Sequence, residues 1–144
     1  MNKIMLTVLV FLCTLFMISC SSVVTKDPKL QREWMLVSFK NYSKQDLMKH
    51  TARMDLTSPA EKGKIRGSAY MGCNRLFFSS EFKNNGNLKI SGIGSTMMAC
   101  PGMELEDEFS RSFKEMSHYQ IEGHFLTLTD NQGHNMKFIA SDWD

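Results

Sequence analysis

The sequence predicts an α+β fold, mostly β: a small antiparallel curved sheet or partly closed barrel of about eight strands with one helix packed on it. Three observations predict it. Short runs of alternating apolar and polar residues, broken by Asn/Gly turns, fill most of the chain after residue 30. The gaps between those runs are too short for the crossover connections that parallel strands need. One stretch alone, Met103 to Ser117, changes to a helical period.

Taken in order, Trp34 to Phe39 is bulky and loosely alternating, so it reads as the first strand. Residues 40–49 are polar and read as a loop. Thr51 to Leu56 is a weaker strand, ended by Ser58-Pro59. Lys64 to Met71 alternates strictly, with Ile65, Gly67, Ala69 and Met71 on one side, the pattern of a half-buried strand. Gly72-Cys73-Asn74 interrupts it as a bend, and Leu76 to Phe82 is the next strand. Asn84-Asn85-Gly86-Asn87 is a turn, since Asn and Gly tolerate positive φ. Leu88 and Ile90 continue on one face until Gly92 and Gly94 break the pattern. Leu105, Phe109, Phe113 and Met116 recur at steps of four, four and three, one apolar stripe of a helix. Glu104, Glu106, Asp107 and Glu108 at its start and Lys114 near its end suit the helix dipole. A solvated, dipole-matched helix start explains that acidic cluster better than a metal site does. Tyr119 and Ile121, then Leu126 and Leu128, then Met136 to Ile139 complete the strands, with turns at Gly123 and at Asp130-Asn131-Gln132-Gly133. A curved sheet with the helix over its opening would bury the helix stripe and protect the strand edges.

The N-terminus sets the compartment. Lys3 precedes a nearly unbroken apolar run from Ile4 to Phe16, followed by small and polar residues, the pattern of a secretory signal peptide over residues 1–19. The run is short of the ~20 residues of a membrane span. Met17-Ile18-Ser19-Cys20 resembles a bacterial lipobox, with Met17 at the usual leucine position. That resemblance implies cleavage before Cys20 and acylation of its thiol and amine, so that the chain's membrane partner is its own lipid anchor. Ser21 follows where an aspartate would signal retention, which by analogy with enterobacterial sorting implies the outer membrane, periplasmic face. Residues 20–29 then form the lipidated N-terminus and a short tether, and residues 30–144 form one domain.

Without residues 1–19, 125 residues remain, with 16 basic against 15 acidic side chains and a net charge of +1. That is enough chain for one core. The balance argues against a nucleic-acid partner, which needs a basic stripe, and against polybasic membrane binding. A monomer is expected. The twelve methionines are irregularly spaced, with Met97-Met98 adjacent, and read as flexible core filling rather than a soft-metal site.

Cys73 and Cys100 are the cysteines left once Cys13 leaves with the signal and Cys20 is lipidated. In an oxidising compartment the simplest use of two such cysteines is a disulfide; buried free thiols, a nucleophile and a metal ligand are the alternatives. No motif ties His50, His118, His124 or His134 to either cysteine, and a catalytic thiolate wants a base beside it. Structural zinc usually takes ligands as close pairs, and none is present. No catalytic residues, no metal and no cofactor are therefore expected.

Trp34-Met35-Leu36, Gly72-Cys73-Asn74-Arg75, Ser95-Thr96-Met97-Met98-Ala99-Cys100, the acidic helix from Glu104 to Phe113 and the final hairpin Tyr119 to Leu128 together resemble the META domain, or HslJ-like, family. Met97 stands where many members carry a basic residue. The resemblance spans roughly residues 30–140. It implies a mixed fold of antiparallel strands and helix, no established catalytic activity, and bacterial relatives that are often lipoproteins induced by heat or envelope stress. The resulting expectation is a non-catalytic envelope lipoprotein that supports outer-membrane integrity or tolerance of heat and drugs by binding a protein or an apolar ligand. The alternative is a specific protein-interaction module, an inhibitor of an envelope-targeting enzyme or a pilot for an outer-membrane complex. Phe77, Phe78 and Phe82 are candidates to line an apolar mouth, or else are core. Arg75 is expected to make a local ion pair.

Overall fold

The computed structural model describes residues 28–143. The expected signal segment, Cys20 and the tether as far as Asp27 lie outside the described residues. The chain runs β1 (Glu33–Phe39), α1 (Lys44–Lys49), β2 (Arg53–Asp55), β3 (Ile65–Tyr70), β4 (Arg75–Phe82), β5 (Leu88–Ser95), α2 (Glu104–Phe113), β6 (His118–Glu122), β7 (Phe125–Thr129) and β8 (Asn135–Ala140). The strands make one sheet in the order β5-β4-β3-β2-β1-β8-β7-β6, antiparallel at every pairing.

The sheet curls until its two edges touch at one end. There Asn87 bridges His118, Leu88 N donates to Ser117 O at 2.8 Å, and Tyr119 N donates to Gly86 O at 2.8 Å. Towards the other end of β5 the edges separate. The molecule is a half-closed barrel, as expected of short alternating strands. Two β-bulges help it curl, because each adds a residue to one strand and increases the local twist. One, at Val37, shifts the β1–β8 register between Leu36 and Ser38. It also resets the alternation of β1, so that Phe39 is buried beside Trp34 and Leu36 rather than facing out. The other lies in β5, opposite Phe78.

That second bulge corrects the sequence reading of β5. Gly92 and Gly94 do not end the strand. Ser79 pairs with Ser91 and Phe77 with Gly94, so the extra residue is absorbed with Gly92 at φ 60° and pairing resumes to Ser95. A further correction is α1, where a loop was expected. Ser43 and Asp46 form a capping box: the Ser43 hydroxyl accepts from Asp46 N, and the Asp46 carboxylate accepts from Ser43 N. These bonds satisfy orphan donors at the helix start. Leu47 is the single buried side chain of this helix, too little for an apolar stripe to be read from sequence.

The core lies inside the curl and is closed by α2. Leu105, Phe109, Phe113 and Met116, the predicted stripe, are all at most 3 % exposed. Phe113 meets Phe78 of β4 edge-on with centroids 4.7 Å apart, and Phe109 meets Phe39 of β1 at 6.0 Å. Edge-to-face pairs of this kind add about 0.5–1.5 kcal/mol beyond their buried area. They fasten the helix to two strands far apart in the sheet. The Phe78 ring also lies against Gly67 of β3, where a Cβ would overlap it. Gly67 is therefore a packing residue. Trp34 is fully buried and its indole N–H donates to Leu30 O at 3.0 Å, which ties the start of the domain to the core. Among the described residues, no helix is long and apolar enough to cross a membrane.

Candidate functional site

Cys73 and Cys100 are bonded, with Sγ atoms 2.02 Å apart. The bond joins the bend between β3 and β4 to the segment between β5 and α2, at the end of the barrel where β5 and β6 have separated. Around it the chain is arranged by one side chain, Asn74, only 4 % exposed. Its Oδ1 accepts from Met98 N at 2.7 Å and from the Thr96 hydroxyl at 2.8 Å, while its Nδ2 donates to Met98 O at 3.0 Å. The orientation of the amide is fixed by chemistry: Met98 N can only donate and Met98 O only accept. Thr96 is held again, its N donating to Arg75 O and its hydroxyl accepting from Arg75 N, both at 3.1 Å. Asn74 N in turn donates to Glu106 Oε2 at 2.6 Å, so the first turn of α2 is tied to the same bend.

Gly72 makes the bend possible. Its φ is 119°, a region L side chains avoid, and a Cβ there would run into the His50 ring. The Tyr70 hydroxyl donates to Gly72 O at 2.9 Å and pins the other side.

The result is a tip whose backbone is fixed and whose side chains face solvent. Met97 is 96 % exposed and Met98 57 %. This corrects the expectation that both are packing; core filling does hold for Met54, Met71, Met116 and Met136, each at most 3 % exposed. Sequence reasoning missed Met97 and Met98 because methionine composition says nothing about direction. The signal available was the polar Asn74 next to a bonded cysteine, a side chain that needs partners once buried. Two more apolar side chains are exposed on the strands leading to the tip, Phe77 at 48 % and Ile93 at 37 %.

The three phenylalanines thus part company. Phe78 is core, Phe77 stands on the outer surface, and Phe82 lines a cavity of about 220 Å³ with Leu30, Ile65 and Tyr119. That volume is below the ~300 Å³ at which drug-sized ligand pockets begin. A cavity of about 290 Å³ is lined by Phe39, Met116, Arg111, Asp130 and His134. Arg75 lies on the outer face with its guanidinium 3.4 Å from the Ser68 hydroxyl. It has no carboxylate partner among the described residues, so the expected local ion pair is not formed.

The histidines are dispersed. His50 caps α1 and abuts Gly72, His118 contacts Ser117, His124 stacks on Trp143 at 4.5 Å, and His134 pairs with Asp130 at 2.8 Å. Among the described residues, no three His, Cys, Asp or Glu side chains gather as metal ligands would. The shifted acids are surface caps and pairs. The Ser43 hydroxyl lowers Asp46, the Lys40 ammonium lowers Glu108, and the His134 ring lowers Asp130. Burial raises Tyr42, with Glu108 beside it.

Comparison with solved structures supports the fold. A protein solved by NMR has a TM-score of 0.60 at 20 % identity, over 82 % of this chain and 97 % of that one. A protein from Burkholderia xenovorans, also solved by NMR, has 0.57 at 20 %, over 85 % and 96 %. The crystal structure of a DUF4847 family protein from Bacteroides vulgatus ATCC 8482 has 0.53 at 14 %, over 81 % and 97 %. No protein with curated function matches the sequence. The META domain model matches residues 28–143, from the turn before β1 to the end of β8 and beyond, and includes the bonded cysteines and the Asn74 clamp. The chain therefore belongs to the META domain family.

Proposed function

We propose that this protein is a non-catalytic, lipid-anchored module of the bacterial envelope that supports outer-membrane integrity under heat or drug stress by binding another protein through the Cys73–Cys100 tip. One observation carries the binding part: a disulfide and three hydrogen bonds from Asn74 hold the backbone on which Met97 and Met98 stand exposed. Ordering a segment costs about 1–2 kcal/mol per residue, and exposed methionines return none of it by packing. Flexible, polarisable methionines are the side chains that adapt to a partner surface. A protein partner fits better than a small apolar ligand, because the apolar side chains near the tip are outside the barrel.

The envelope part rests on the sequence, on the signal pattern of residues 1–19 and the lipobox ending at Cys20. Acyl chains there would hold the domain at the outer membrane, since each buried CH₂ contributes about 0.8 kcal/mol. The thiol-enzyme reading loses its nucleophile once Cys73 and Cys100 are bonded.

The test is a deletion strain challenged with heat and with membrane-acting drugs. Increased sensitivity, rescued by the wild-type gene and not by a Met97→Asp/Met98→Asp gene, supports the proposal. Sensitivity equal to the parent strain contradicts it.

A further inference from the structure

The outer face of the sheet carries two rows of side chains that the strand register sets side by side. Glu33, Asp55, Ser68 and Phe77 are successive cross-strand partners on β1, β2, β3 and β4, and Met35, Arg53, Tyr70 and Arg75 are another such row. The row between them, Trp34, Met54, Ala69 and Leu76, is buried in the core. Alternation along each strand therefore turns both flanking rows outward. They surround a cavity of about 150 Å³ whose lining includes Glu33, Arg53, Asp55, Ser68, Tyr70 and Arg75.

Of the charged side chains there, Arg53 and Glu33 neutralise each other. Arg53 pairs with Glu33 at 3.6 Å, lies over the Tyr70 ring at 5.1 Å and donates to Thr51 O at 3.3 Å. Asp55 and Arg75 reach the same residue and do not meet. Asp55 is the β2 partner of Ser68, and the Arg75 guanidinium donates to the Ser68 hydroxyl at 3.4 Å. Neither makes an ion pair among the described residues. Each is restrained where it stands. Asp55 Oδ1 accepts from Thr57 N at 2.8 Å and from the Thr57 hydroxyl at 2.7 Å. The Arg75 backbone is held at both its N and its O by Thr96. Opposite charges held apart at one cavity are complementary to a dipolar ion, and fixing them in advance lowers the cost of binding one. Asp55, Ser68 and Tyr70 are half-buried, so salt screens this site less than an open surface.

We infer that this cavity binds a small zwitterion, a molecule with an anionic group and a primary ammonium a few bonds apart. The anionic group takes the Arg75 guanidinium, whose planar fork of donors suits a carboxylate or a phosphate. The Ser68 hydroxyl is its second donor. The ammonium takes Asp55 through Oδ2, since Thr57 occupies Oδ1. Phe77, the β4 partner of Ser68 and 48 % exposed, offers apolar surface to the rest of the molecule. Two sources carry this chemistry: a free α-amino acid, and the ethanolamine-phosphate headgroup of a phospholipid. The site uses neither Met97 nor Met98, so an empty cavity would leave the protein-binding role of the tip standing.

The test is isothermal titration calorimetry of the protein purified from its own cells in a non-ionic detergent, with leucine and the soluble lipid dihexanoyl phosphatidylethanolamine as probes. Analogues that lack one charge are the controls: isoamylamine and isocaproate for leucine, and dihexanoyl phosphatidylglycerol for the lipid. At least one zwitterion should bind with a Kd of about 1 mM or tighter, and about tenfold or more ahead of its analogues. Binding of leucine alone makes a free amino acid the source, binding of the lipid alone makes it a headgroup, and binding of both supports the shared chemistry. Asp55→Asn, which keeps an acceptor for Thr57, and Arg75→Gln should each weaken binding by about tenfold or more at an unchanged melting midpoint. Glu61→Gln, which breaks the exposed Arg66–Glu61 pair, should leave it unchanged. Zwitterions that bind no tighter than their analogues, binding that survives either substitution, or no binding at about 10 mM overturns the inference.

Discussion

The Asn74 side chain grips the backbone of Met98 from both sides, accepting from its N at 2.7 Å and donating to its O at 3.0 Å. One carboxamide thereby does for the tip what a neighbouring strand does for β5. Asn74→Ala should therefore cost about 1–3 kcal/mol in urea denaturation, because the buried amide is lost and the part-buried Met98 N and O are left without their partner. The Met98 amide should exchange faster than those of β4. A cost under about 0.5 kcal/mol, the range of ordinary surface changes, would show that the clamp is incidental.

The disulfide closes a loop with a sequence separation of 27. On the chain-entropy model its removal in Cys73→Ser/Cys100→Ser should cost about 3.5 kcal/mol. Denaturation midpoints of the wild type with and without reductant should differ in the same direction. Identical midpoints would remove the bond from the account of stability.

Two glycines near the tip make opposite predictions. Gly72→Ala forces a Cβ into the His50 ring at a positive φ. It should destabilise by about 2 kcal/mol or more, since strain at a special backbone position is among the large single-residue effects. Gly94→Ala meets open space and has no positive φ, so it should stay within about 0.5 kcal/mol of wild type. Thermal melts of both variants check the contrast; equal effects would contradict the geometry of the bend.

Asp46 and Asp130 have lowered pKa values, Asp46 from the Ser43 hydroxyl and Asp130 from His134. A carboxylate whose folded pKa lies below its unfolded one binds fewer protons when folded, so it contributes stability above the unfolded value. That contribution should be present at neutral pH and be lost as pH falls below about 4. The Asp46 side chain is on the surface, so its loss should be small and shrink with added salt. Asp46→Asn should flatten the acid limb of the stability profile; an acid limb as steep as wild type's would rule out this cap as a contributor.

Much of the fold was legible because alternation and helical period are local signals. The α2 stripe from Leu105 to Met116 and the strands around Lys64 to Phe82 follow from spacing alone. What stayed hidden depends on distant partners. The capping box of Ser43 and Asp46 looks like ordinary loop polarity unless the spacing of three is noticed. The strand through Gly92 and Gly94 needed β4 opposite it, and the exposure of Met97 and Met98 needed Asn74, more than twenty residues away, to turn their backbone outward. Cys73 and Cys100 were paired correctly from the compartment implied by Cys20, whose own fate lies outside the described residues.

The most direct test of the central claim, that the clamped tip is a protein-binding surface, is in-cell photocrosslinking from a photoreactive residue at Met97, with Gln132 on a distant turn as the control site. The account predicts one reproducible, stoichiometric adduct from position 97, absent from position 132 and lost in a Met98→Asp background. Adducts from position 97 that match those from position 132 would contradict it.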